Sequence, residues 1–124
     1  GWLFMVKNGA TTIWESWEGN MTSDKGIASL NHYSKGALCE WLIGNMCGIK
    51  VAGENKFVIA PKVGGKETYA KARYDSVYGT VLSGWERKDG KTVFTVSVPC
   101  NCTAKIILPD GTAQTVFSGN YEFN

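Results

Sequence analysis

The sequence predicts a mainly β protein, an antiparallel β-sandwich preceded by a helical segment. Two observations carry this reading. Up to about Ile49 the apolar residues recur at helical spacing, whereas beyond residue 55 they alternate with polar ones. The later part also reads as seven short strands separated by turn residues with no helical pattern between them, which implies antiparallel pairing. The chain therefore divides near residue 50, into residues 1–50 and 51–124.

Taken in order, Trp2, Leu3, Met5 and Val6 form the last turn and a half of a helix, ended by Asn8-Gly9. Residues 16–28 are a polar loop punctuated by glycine. A second helix is expected from Ser29, a serine suited to capping, to Cys47, with Gly48 as its stop. It is apolar on two sides: Leu30, Tyr33, Ala37 and Trp41, with Leu38 at their margin, form one stripe, and Gly36, Cys39, Ile43 and Cys47 a second. A helix apolar most of the way round is buried on both sides. The rest of the chain supplies one covering surface, so the second stripe lacks its partner. The strands are expected at 56–60, 68–74, 79–87, 91–98, 102–108, 113–117 and 120–123, with Asp89-Gly90 and Asp110-Gly111 as hairpin signals.

Composition sets the outer bounds. With 124 residues, 44% hydrophobic and 19% charged, the chain is a folded domain of modest core. A net charge of +2, without a basic run interleaved with aromatics, gives no nucleic-acid footprint. No apolar stretch approaches a membrane span, and the first residues carry no targeting pattern that would assign a location. Cys39 and Cys47 would lie roughly 12 Å apart along a helix, and Cys100 and Cys102 about 6.5–7 Å apart on one strand face, both poor for a disulfide. With one histidine and no C-x2-C spacing, no zinc site is implied, and all four cysteines are expected to be small buried hydrophobes. Asn20-Met21-Thr22 and Asn101-Cys102-Thr103 match the glycosylation sequon, a pattern that also arises by chance.

The feature that bears most on chemistry is Glu15 between Trp14 and Trp17, followed by the chain's one histidine, His32. Aromatic faces stack on sugar rings, and a carboxylate can serve as acid, base or nucleophile at an anomeric carbon. Against this stands a structural reading, in which two tryptophans three apart mark the buried face of a short helix.

The words Asn8-Gly9-Ala10-Thr11-Thr12-Ile13-Trp14-Glu15, Ser29-Leu30-Asn31-His32-Tyr33, Gly36-Ala37, Glu40-Trp41-Leu42, Phe57-Val58-Ile59-Ala60-Pro61-Lys62, Tyr69-Ala70-Lys71-Ala72 and Tyr74-Asp75-Ser76-Val77-Tyr78-Gly79 occur in this order. With them the chain resembles the C-terminal end of a bacterial α-L-rhamnosidase of glycoside hydrolase family 78. The resemblance implies that residues 1–50 close an (α/α)6 catalytic barrel and that residues 51–124 are a C-terminal β-sandwich. It implies inverting removal of terminal α-L-rhamnose from rhamnosides, without a cofactor. Glu15 then aligns with the general base, His32 with a histidine of the rhamnose pocket, and Trp14 and Trp17 with its surroundings. The family's general acid lies upstream in the barrel, in a segment absent from these residues. They are therefore expected to be inactive alone, to have the rest of the barrel as their partner, and to self-associate through the uncovered stripe. The loop between Glu15 and His32 is also shorter than in many members, which bears on the shape of the pocket. The competing class is a non-catalytic carbohydrate-binding or spacer sandwich, with Trp85, Tyr69, Tyr74 and Tyr78 as stacking aromatics.

Overall fold

The computed structural model describes residues 1–19 and 28–124; most of the expected 16–28 loop and the sequon at Asn20 lie outside the described residues. The described chain forms two compact units, Gly1–Glu40 and Trp41–Asn124.

The first unit opens with α1 (Trp2–Lys7). Its end satisfies the helix's last carbonyls by two bonds, Gly9 N–H to Val6 O (3.1 Å) and Ala10 N–H to Met5 O (3.0 Å). That pattern requires a left-handed residue between them, and Gly9 supplies it at φ +70°. The helix expected from Ser29 starts later. It begins with a 3₁₀ turn (Ser34–Ala37), continues as α2 (Leu38–Trp41) and widens into a π turn (Leu42–Met46). Ser29 is no helix cap, because its backbone pairs with Glu15 and its hydroxyl bonds the Asn31 backbone. Residues 29–32 are thereby held outside the helix. The first apolar stripe is not covered as expected, and the second departs from expectation only at Cys47. Cys47 is buried, but Cys39 and Ile43 are exposed, as are Leu30, Tyr33, Ala37 and Trp41.

The second unit is a two-sheet sandwich, with sheet orders β1-β2-β6-β7 and β3-β4-β5-β8. Its strands are β1 (Ile49–Gly53), β2 (Lys56–Ile59), β3 (Tyr69–Ser76), β4 (Gly79–Lys88), β5 (Lys91–Val98), β6 (Thr103–Ile107), β7 (Ala113–Val116) and β8 (Gly119–Phe123). The seven expected strands are present. β1 is an eighth, hidden from the sequence because its residues after Ile49 are exposed and its turn lacks an Asn-Gly or Asp-Gly signal. Asn55 makes that turn at φ +46°, and its side-chain amide holds Asn101 O at 2.7 Å beside the start of β6. One pairing departs from the antiparallel rule: β2 runs parallel to β6, Lys56 opposite Thr103. Asp89 and Gly90, both at positive φ, form the tight turn between β4 and β5 that their sequence implied.

The core lies between the sheets. Ile49, Phe57, Ile59, Ala104, Ile106 and Val116 from one sheet meet Val81, Val96 and Val98 from the other, with Cys102 among them. Cys100 is exposed, contrary to the expectation of four buried thiols, because it sits in the solvent-facing turn before Cys102. Cys39 is exposed because no described residue covers its side of α2. Burial pushes the Cys47 and Cys102 thiols up from their ordinary value, with the neighbouring Cys100 adding to the second.

The last helical turn is tied to the sandwich through four successive carbonyls. Asn45 O accepts from Lys62 N–H (2.9 Å), Met46 O from the Trp85 indole (2.8 Å), Cys47 O from the Ser83 hydroxyl (2.6 Å) and Gly48 O from Ala60 N–H (2.9 Å). These groups would otherwise be orphaned at a helix end. Ser83 and Trp85 face inward from β4 at 2% and 1% exposure, so each polar atom has a partner where water has no access. Ser83→Ala and Trp85→Phe each leave a carbonyl without its donor and are expected to cost about 1–3 kcal/mol. Urea denaturation of the two variants, against a control at the exposed Thr95, Thr95→Ala, measures this.

Two carboxylates give the sandwich an acid sensitivity. Asp75 accepts from the Thr80 hydroxyl (2.6 Å) and from Arg73 Nε (2.9 and 3.1 Å), which hold it below the ordinary 3.8 in that order of importance. Asp110 is lowered chiefly by the backbone N–H of Thr112. A carboxyl depressed in the folded state binds fewer protons folded than unfolded. Its stabilisation is therefore complete above the unfolded value and lost as pH falls through the lower folded value. The urea midpoint is expected to drop below about pH 4, and less so in Asp75→Asn/Asp110→Asn.

Candidate functional site

The site residues lie in the first unit, where two chain segments run side by side in opposite directions. Glu15 N–H donates to Ser29 O (2.8 Å) and His32 N–H to Ile13 O (2.7 Å), while the Thr12 hydroxyl holds Leu30 O. Ile13 lies over Gly36, where an added Cβ would be 3.6 Å from its Cδ1, and Glu15 is exposed.

Among the described residues the Glu15 carboxylate is held by one backbone donor, Ser29 N–H to Oε2 at 2.7 Å. A charge-assisted bond of this kind fixes a carboxylate while leaving acceptor sites for water. His32 is half-buried, stacks on Tyr33 at 5.0 Å between ring centres, and takes the backbone N–H of Ser34 on Nδ1 (3.3 Å) beside its hydroxyl (3.0 Å). Because a backbone N–H can only donate, Nδ1 is the acceptor, and the tautomer assigned from these bonds carries its proton on Nε2. Among the described residues no hydrogen bond joins the Glu15 and His32 side chains. Their backbone segments are what the fold brings together.

The tryptophans differ in role. Trp14 is half-buried, meets Phe4 edge-on at 6.3 Å and packs over Gly19, where an added Cβ would approach its ring to 2.8 Å. Gly19 is at φ +78°, so glycine is doubly required there. Trp17 is 41% exposed, meets Trp2 edge-on at 5.4 Å, and carries the Lys35 ammonium 4.5 Å over its ring. One face of Trp17 is thus taken by a cation. Lys35 also donates to Trp14 O (3.1 Å) and Glu15 O. Nothing in the local sequence pattern around Lys35 signals a contact twenty residues back. Among the described residues no group of His, Cys, Asp and Glu is placed to hold a metal, and no helix is long and apolar enough to cross a membrane.

In the second unit, Trp85 is buried against the Met46 carbonyl, which removes it from the stacking platform considered above. Tyr69, Tyr74 and Tyr78 are exposed, but Tyr74 is turned edge-on to the core residue Phe57 at 6.5 Å.

Two family models match: the bacterial alpha-L-rhamnosidase C-terminal domain over residues 50–122 and the bacterial alpha-L-rhamnosidase 6 hairpin glycosidase domain over residues 1–46. The chain belongs to the bacterial alpha-L-rhamnosidase family. An alpha-L-rhamnosidase of Streptomyces avermitilis is 37% identical over 115 residues, covering 87% of this chain and 11% of the relative. One of Formosa agariphila is 35% identical over 128 residues, covering 98% of this chain and 14% of the relative. The crystal structure of the Streptomyces avermitilis alpha-L-rhamnosidase complexed with L-rhamnose superposes with a TM-score of 0.86 at 32% identity, covering 99% of this chain and 14% of that one. The native alpha-L-rhamnosidase of Aspergillus terreus gives 0.87 at 28% identity, covering 99% of this chain and 15% of the other. The chain thus corresponds to a small part of the length of these rhamnosidases.

Proposed function

We propose that, within its full natural polypeptide, this chain takes part in inverting hydrolysis of terminal α-L-rhamnosyl groups, with Glu15 as the general base. The observation that carries the reading is the exposed Glu15 carboxylate, fixed by Ser29 N–H on a segment paired with that of His32. Inversion requires one acid to protonate the leaving oxygen and a carboxylate on the opposite face to activate water, the two typically about 6.5–9.5 Å apart. Glu15 takes the second role, and the acid comes from elsewhere in the polypeptide. The Nε2–H of His32 donates to a ring hydroxyl of rhamnose, and Trp14 and Trp17 wall the pocket. Residues 1–50 are the end of the catalytic barrel, and residues 51–124 are a sandwich whose role is structural. The partners are rhamnose-containing glycosides and the rest of the barrel, which covers the exposed Leu3, Val6 and Tyr33.

The test is the stereochemistry of the product. The full polypeptide, given an aryl α-L-rhamnoside, is expected to release β-L-rhamnose first, seen by proton NMR before mutarotation. First release of the α-anomer, or no release, would refute the reading. Residues 1–124 expressed alone are expected to release none, since a base without its acid gives up most transition-state stabilisation.

A further inference from the structure

We propose that Lys35 is a positioning residue for Glu15, holding the peptide that carries the base without touching substrate. The inference rests on the role of Glu15 given above. Among the described residues three anchors fix residue 15: Ser29 N–H on its carboxylate, Ser29 O on its N–H, and the Lys35 ammonium on its carbonyl. The first two come from one residue of the neighbouring segment. The segment's other backbone bond, His32 N–H to Ile13 O, lies two residues back, and among the described residues none of these bonds reaches the carbonyls of Trp14 and Glu15. Lys35 does so by bridging the carbonyls of Trp14 and Glu15 at once. An ammonium has three donors and no acceptor, so two consecutive carbonyls suit it.

The same ammonium stands 4.5 Å over the Trp17 ring. A half-buried lysine gives up hydration and rotamer freedom, and the carbonyls and ring face together offset that loss. One side chain thereby sets the backbone on both sides of the base and the orientation of the next aromatic. Misplacing a catalytic group by about 1 Å can cost about 100-fold in rate. Lys35 contributes no proton to the reaction, so its effect must pass through Glu15.

A double-mutant cycle in the full polypeptide tests this, with an aryl α-L-rhamnoside as substrate. Lys35→Met keeps the aliphatic stem and removes the donors. It is expected to lower kcat about 10–100-fold with KM changed by less than about threefold, and Lys35→Arg to recover much of the loss. Combined with Glu15→Gln it should add nothing further. Wild-type kcat in Lys35→Met, a change confined to KM, or additive losses in the double variant would each overturn the proposal. Wild-type kcat in Glu15→Gln would instead overturn the base assignment, a separate result. If Lys35→Met loses its cooperative melting transition, Lys35→Gln decides the matter, being one atom shorter and unable to bridge both carbonyls. A lowered kcat at unchanged KM then supports the role, and an unchanged kcat overturns it.

Discussion

Glu15→Gln is expected to lower kcat of the full polypeptide on aryl rhamnosides by about 10²–10⁴-fold, the usual worth of a general base. The substitution is chosen to separate chemistry from structure. The amide keeps a carbonyl oxygen that can accept the Ser29 N–H now bound at 2.7 Å, so the local pairing survives. What disappears is the ability to take a proton from water. Stability should therefore shift by no more than about 0.5 kcal/mol, as for a surface change away from any buried group. A better leaving group should not restore the rate, because the missing step is water activation on the opposite face of the sugar. Glu15→Gly with added azide should restore turnover and yield the β-rhamnosyl azide. A full-strength Glu15→Gln enzyme would remove Glu15 from the chemistry.

Gly48→Ala is expected to cost the sandwich about 3–5 kcal/mol, combining left-handed strain with overpacking against fixed backbone. Gly48 sits at φ +75°, and a Cβ built there falls inside the backbone of Ala60 and Pro61. Those atoms cannot yield cheaply, since Ala60 N–H is bonded to Gly48 O itself. Gly90→Ala is the control: it shares the positive φ, at +78°, but has open space around the added carbon. It should cost only about 1–2 kcal/mol. Equal losses in the two variants, by urea denaturation, would show that close approach at Gly48 contributes nothing.

The sandwich was legible because its signals are local. Alternation in β4 and β5 and the Asp89-Gly90 turn are printed in adjacent residues, and both appear in the structure. β1 was not legible, since its Val51 and Ala52 are exposed and its turn depends on Asn55 adopting a left-handed conformation. The helix start at Ser29 misled for a related reason. Serine before an apolar run is a sound cap signal, but here the backbone of residues 29–32 is committed to Ile13–Glu15, a partner no local pattern reveals. At the site, Glu15 and His32 stood out by residue type and by family resemblance. Lys35 did not, because its function lies in where its ammonium lands rather than in its neighbours along the chain.

The parallel pairing of β2 with β6 has a consequence for the order of folding. β1 and β2 close at once as a hairpin, but the other edge of β2 waits for Thr103 to arrive opposite Lys56. Between them in the chain lies β3–β4–β5, three strands of the other sheet, which can pair as a meander as they emerge. During synthesis the second sheet therefore largely precedes completion of the first. The β2 edge opposite β1 therefore keeps its backbone groups unpaired until Thr103–Ile107 is made. That interval, rather than any weakness of the finished sandwich, is when this chain is most open to aggregation.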